Sequence, residues 1–116
     1  MSVQSAIATV RTPDGLHLSG TIVLPDAARH AAVLVHGGGV TREEGGFFAR
    51  LAAGLADADI ASLRFDLRGR GNSEGRQADL TIAGILSDIR ATKAFVCSRL
   101  TCRPGCIAVR VHSRAR

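Results

Sequence analysis

Two apolar runs in this chain each stop in glycine. Ala31 to Val35 ends in His36-Gly37-Gly38-Gly39, and Ile60 to Phe65 ends in Asp66-Leu67-Arg68-Gly69-Arg70-Gly71-Asn72-Ser73. A short continuous apolar run bounded by turn residues is the pattern of a strand buried on both faces, as in parallel sheets covered by helices. In open sheets of that kind ligands are met at the carboxyl ends of strands. Glycine there lets backbone N–H groups face a ligand with no Cβ in the way. The two strand ends therefore constrain the fold and the place of its chemistry together.

The flanking segments support this reading. Ser5 to Arg11 and Leu16 to Leu24 read as a hairpin joined at Thr12-Pro13-Asp14-Gly15, where Pro fixes φ and Asp-Gly supplies turn geometry. Phe47, Phe48, Leu51, Ala52 and Leu55 fall at helical spacing after Glu43 and Glu44, acids that favour a helix N-terminus. Ile82, Ile85, Leu86, Ile89 and Phe95 or Val96 mark a second helix over 81–98, with Asp79 or Thr81 as its N-cap. The fold class is α/β: a β-hairpin, then β-α-β-α with mostly parallel strands. Sheets of this kind need roughly 200 residues to cover both faces. With 116 residues, this one reads as incomplete.

Charge divides the chain in two. Residues 1–96 hold nine Arg and one Lys against ten acids, whereas 97–116 hold five Arg and no acid, so the whole net charge of +5 lies at the end. The body has no basic stripe and few aromatics, which argues against nucleic-acid binding. Cys97, Cys102 and Cys106 are also late, at spacings that match no common zinc framework, so they read as free thiols with no metal. Met1 to Val10 lacks a secretory pattern, and no apolar run approaches the ~20 residues of a membrane span. The expectation is a soluble, cytoplasmic protein with residues 1–100 as one partial domain and 101–116 as a basic Cys/Arg-rich tail.

Three chemistries use a strand that ends in a glycine loop. Phosphate cradling of the Walker type needs Gly-Lys-Ser/Thr, and the chain's single lysine, Lys93, is elsewhere. A dinucleotide fingerprint fails at its third glycine, which is Glu74. The third is an oxyanion hole, whose backbone N–H groups stand about 3 Å from a developing negative oxygen. His36-Gly37-Gly38-Gly39 fits that requirement, although the same residues can form a tight turn with no ligand.

Taken together, the Pro13-Asp14-Gly15 hairpin, the strand into His36-Gly37, the segment Arg42-Glu43-Glu44-Gly45-Gly46-Phe47-Phe48 and the loop Asp66 to Ser73 resemble the α/β-hydrolase superfamily, in its serine aminopeptidase-like and lysophospholipase-like branch. The resemblance runs from about Thr12 to Leu100. It implies a Ser-His-Asp hydrolase of small-molecule esters, thioesters or amides, without a cofactor, with the backbone N–H of Gly38 as oxyanion donor. It also implies supporting roles for Asp66 and Arg68 and a structural role for His36, since the family places its base histidine near the far C-terminus. Asp59 departs from the glycine usual in the turn before this strand.

Two serines compete for the nucleophile. Gly71-Asn72-Ser73-Glu74-Gly75 matches G-x-S-x-G, but no apolar strand runs into Gly71 and no small-residue helix follows Ser73, so the match is accidental. Asp79, Asp88 and His112 follow in Ser-Asp-His order, which proves nothing without geometry. After one more strand-like run, Ile107 to Val111, His112-Ser113 stands where the family has its elbow. Val111 and Ala115 replace the elbow's glycines, so Ser113 reads as a degraded nucleophile position with nothing to activate it. The last ~15 residues read as the product of premature termination or a shifted frame. The expectation is a truncated, inactive hydrolase. Its rivals are a non-catalytic fragment that self-associates through the open edge of the unfinished sheet and an arginine tail that binds anionic surfaces.

Overall fold

The computed structural model describes residues 3–37, 41–43 and 46–100. Strands β1 (Val3–Arg11) and β2 (His17–Pro25) form the hairpin, and β3 (His30–Val35), helix α1 (Phe47–Asp57), β4 (Ile60–Phe65) and helix α2 (Ile82–Cys97) follow. The sheet order is β1-β2-β4-β3. β3 and β4 pair in parallel from His30↔Ile60 to Val35↔Phe65, as a βαβ unit requires. The hairpin joins β4 through β2, antiparallel over Gly20↔Phe65 to Val23↔Ser62, so the four-stranded sheet is mixed.

Period-two alternation sends side chains to two different helices. Val33, Val35, Ala61, Leu63, Phe65 and Leu18 meet Val96, Ile85 and Ile89 on the α2 face. Ala32, Leu34 and Phe48 pack on the other face, and Val23 meets Ala52 and Ala56 of α1 there. Helix α1 buries the row Phe48, Ala52 and Ala56 and leaves Phe47 exposed. Its first turn holds no acid. Glu43 instead lies near two guanidinium groups, Arg42 at 3.6 Å and Arg64 at 3.8 Å. At the turn before β4, Asp59 has φ 62°, the left-handed region that explains why glycine suits this place.

Thr81 is the N-cap of α2, its hydroxyl accepting from the Gly84 N–H at 3.1 Å. Asp79 caps the preceding 3-10 turn by accepting from the Arg76 N–H. The buried row of α2 is Gly84, Asp88, Thr92 and Val96. The expected apolar stripe holds at Ile85, Ile89, Phe95 and Val96, which pack on the core, and fails at Ile82 and Leu86, 79% and 42% exposed. The helix is rotated onto its small and polar row because Asp88 must reach a buried arginine. Gly84 makes that approach close: a Cβ there would stand 2.9 Å from Arg68 Cδ. Cys97 is disulfide-bonded, which corrects the expectation of a free thiol at that position.

Among the described residues, one buried hydroxyl lacks a hydrogen-bond partner. Ser62 is fully buried in β4 between Val23 and Ala32, and its Oγ makes no hydrogen bond. A buried hydroxyl without a partner loses its hydration and gains nothing in return. Ser62→Ala is therefore expected to raise stability by about 1 kcal/mol, read as a higher urea midpoint with unchanged m-value.

Candidate active site

The carboxyl ends of β3 and β4 lie side by side because the two strands pair to their last residues, Val35↔Phe65. His36 continues β3 and is 4% exposed. Its Nε2 accepts from the Leu67 N–H at 3.0 Å, so Nε2 carries the lone pair and Nδ1 the proton, which is donated to the Gly37 carbonyl at 2.6 Å. This arrangement consumes the ring nitrogen that a general base would use. Both ring nitrogens of His36 are engaged by backbone groups.

Asp66, 2% exposed, is the hub of the β4 end. Its Oδ1 accepts from the Arg42 N–H at 2.8 Å. Its Oδ2 accepts from the Asn72 N–H at 3.0 Å and from Arg42 Nη1 at 3.1 Å. Arg42, itself buried, also donates to Ser19 Oγ at 2.8 Å. The glycine segment after β3 is thus fastened at both ends to consecutive residues of another strand end, His36 to Leu67 and Arg42 to Asp66. Gly71, with φ 48°, lies so near this carboxylate that a Cβ would stand 2.4 Å from it. Gly38, the expected oxyanion donor, and Ser113, the degraded nucleophile position, lie outside the described residues, as does His112.

Ser73 is described, and it is occupied. Its hydroxyl donates to the Asp66 carbonyl at 2.6 Å and accepts from the Ser19 N–H at 2.8 Å. Its neighbour Glu74 accepts from the His17 N–H at 2.9 Å and returns its own N–H to the His17 carbonyl at 3.0 Å. The segment 66–74 therefore continues the β2–β4 seam as a loop, and Ser73 is a strut in it. No helix begins after Ser73 before the short 3-10 turn Gln77–Asp79.

The sequence reading missed the third element of the scaffold. Arg68, 6% exposed, donates through its backbone N–H and Nε to Asp88, each at 3.0 Å, and through Nη2 at 2.8 Å. Its Nη1 donates to Asp14 in the hairpin turn at 2.9 Å. Bonds to Asp88, and then to Asp14, hold the Arg68 guanidinium protonated more firmly than usual, against the opposing effect of burial. The available signal was Asp88, an acid between Ile85 and Ile89 on a helix face meant for the core, which demands a cationic partner.

Two expectations follow. Asp66→Ala leaves the buried Arg42 cation with only the half-exposed Glu43, 3.6 Å from its Nε, and frees two loop N–H groups. It should cost about 3–5 kcal/mol, read by urea denaturation. The second concerns acid. The Thr12 hydroxyl and then Arg68 hold the Asp14 carboxyl below its ordinary 3.8, and the His17 N–H and ring hold Glu74 below its ordinary 4.5. Both carboxyls bind protons more readily in the unfolded chain, so their contribution is complete above those ordinary values and is lost as pH falls through the lower folded values. Urea midpoints between about pH 6 and pH 3 should fall on the acid side, and the double variant Asp14→Asn, Glu74→Gln should show a shallower fall.

Comparison with known proteins agrees with this geometry. Residues 26–107 match the family described as serine aminopeptidase, S33. No curated protein matches the sequence. Among solved structures, DcsB in complex with its substrate analogue superposes with a TM-score of 0.75 at 16% identity, over 94% of this chain and 36% of that one. Est1E from Butyrivibrio proteoclasticus, with ferulic acid bound, gives 0.74 at 21% identity over 89% of this chain and 41% of its own. The esterase Pf2001 from Pyrococcus furiosus gives 0.69 at 21% identity over 82% and 37%. The chain thus spans well under half the length of these structures. With its α/β-hydrolase sheet and a match over most of its length, the chain belongs to the serine aminopeptidase S33 family of hydrolases.

Proposed function

We propose that the chain carries the oxyanion side of a serine hydrolase site for small-molecule esters or amides, with the Gly38 N–H as donor, and that these 116 residues lack an activated nucleophile. The clamping of the glycine segment supports the first part, because an oxyanion donor works only when it is held before charge develops. The observation that carries the second is the state of Ser73, whose hydroxyl has its donor and acceptor roles filled by Asp66 and Ser19. His36 has no free ring nitrogen to serve as base, and both oxygens of Asp66 and of Asp88 are committed to arginine or loop N–H groups. At Ser113 the flanking Val111 and Ala115 replace the glycines that a strained elbow needs. The charge break near residue 100 supports treating the basic end of the chain as a segment apart, with the family match reaching residue 107.

A fluorophosphonate probe applied to the purified chain near neutral pH, with adducts located by peptide mass spectrometry, tests this reading. No labelled serine is expected. Stoichiometric labelling of Ser73 or Ser113 overturns it. A second reading, in which the chain acts by pairing with another polypeptide, is favoured by the exposed strand at one edge of the sheet.

A further inference from the structure

The sheet has two edges, and they differ. At the β3 edge, Ala31 to Val35 are 0–4% exposed. At the other, every residue of β1 from Val3 to Ile7 is exposed, and Val3 and Ile7 are 52% and 68% accessible. We infer that β1 is a self-complementary edge through which two copies of this chain pair antiparallel, with the two-fold axis at Ser5.

The register of the hairpin identifies the backbone groups that face outward. The Thr12 N–H donates to the Leu16 carbonyl, and hydrogen-bonded pairs alternate along an antiparallel ladder. Val10↔Leu18, Ala8↔Gly20, Ala6↔Ile22 and Gln4↔Leu24 are therefore the bonded pairs of β1 and β2. The opposite phase of β2 serves β4, as the bond from the Asp66 N–H to the Ser19 carbonyl shows. Val3, Ser5, Ile7 and Thr9 thus turn their N–H and C=O groups away from the sheet, in the spacing a new antiparallel strand needs.

A second copy fits this edge better than a strand of arbitrary chemistry. Edge strands are ordinarily blunted by Lys, Pro or inward-pointing charge, yet Val3 to Val10 contains none of these in a chain of net charge +5. Self-pairing at this strand alone brings no like charges together. With the axis at Ser5, Val3 of each copy stands opposite Ile7 of the other, which gives two apolar cross-strand pairs on one face. The two Arg11 residues are then about 40 Å apart. An axis at Ile7 instead sets Val3 against Arg11. The pairing is isologous, and with Ala31 to Val35 at the β3 edge inaccessible it closes at two copies, joining the four described strands of each in one sheet. The described strand pairs over five residues a side, short of the ~1,000 Å² of a stable interface, so the dimer is weak, with a dissociation constant of roughly 10 µM to 1 mM.

Sedimentation equilibrium of the whole chain across that range tests the proposal. The average mass should rise with concentration from 12.1 kDa toward twice that value. Ile7→Lys sets a solvated charge opposite Val3 of the other copy and removes both apolar cross-strand pairs, and Ser5→Pro removes an outward N–H that no neighbour uses. Both should stay monomeric while keeping the parent circular dichroism spectrum. Ser5→Cys should form more crosslinked dimer under mild oxidation than Thr9→Cys, measured above the background of the parent cysteines. A mass constant at 12.1 kDa, a dimer that either folded variant retains, growth beyond two copies, or equal crosslinking at the two positions overturns the inference.

Discussion

The carboxylate of Asp66 is the constraint from which the site's geometry follows. Buried at the end of β4, it holds the Arg42 side chain, the Arg42 N–H and the Asn72 N–H at once. A carboxylate removed from water is tolerable only if its lone pairs are filled and its charge is met. Meeting that demand brings together two loops that leave different strands. The same demand excludes a side chain at Gly71, and it aligns Ser73 so that its hydroxyl bridges the Asp66 carbonyl and β2. What looks locally like a nucleophile motif is the consequence of satisfying one buried charge.

Arg68 repeats the principle on the other face. Its guanidinium joins Asp88 in the middle of α2 to Asp14 in the hairpin turn. The helix accordingly presents Gly84, Asp88, Thr92 and Val96 to the sheet and leaves Ile82 and Leu86 in water. Ile85, Ile89 and Phe95 still pack on the core beside that row. The desolvation cost of an unpaired Asp88 exceeds what one or two exposed aliphatic side chains forfeit, so the ion pair decides the orientation.

This explains what could be read from the sequence. The strands were legible because continuous apolar runs such as Ala31 to Val35 have one reading, and the hairpin because Pro-Asp-Gly has few conformations. The cap of α2 was local and narrowed to Asp79 or Thr81, whereas Asp59 stood out only because the resembled family has glycine there. The absence of an apolar strand running into Gly71 was also legible, and in the structure Ser73 bonds to Ser19 and to the Asp66 carbonyl. The bonding of Arg42 to Asp66, separated by 24 residues, was not, nor was that of Arg68 to Asp14, separated by 54. Periodicity carries no information about which charge meets which, and a helical pattern scored on Ile82 and Leu86 ranks hydrophobicity above the need to neutralise a buried acid. Gly38 and Ser113, the expected oxyanion donor and degraded nucleophile position, lie outside the described residues.

The reach of Arg68 also bears on how this chain becomes ordered. Its partners lie 20 residues ahead in α2 and 54 behind in the hairpin turn. The tip of the hairpin, a local structure that could close within microseconds by itself, gains its ionic anchor only after β4 and α2 have docked. Contacts so distant in sequence delay the rate-limiting step and couple its parts. The β1–β2 tip is therefore a late-consolidating element, secured by the far end of the described chain.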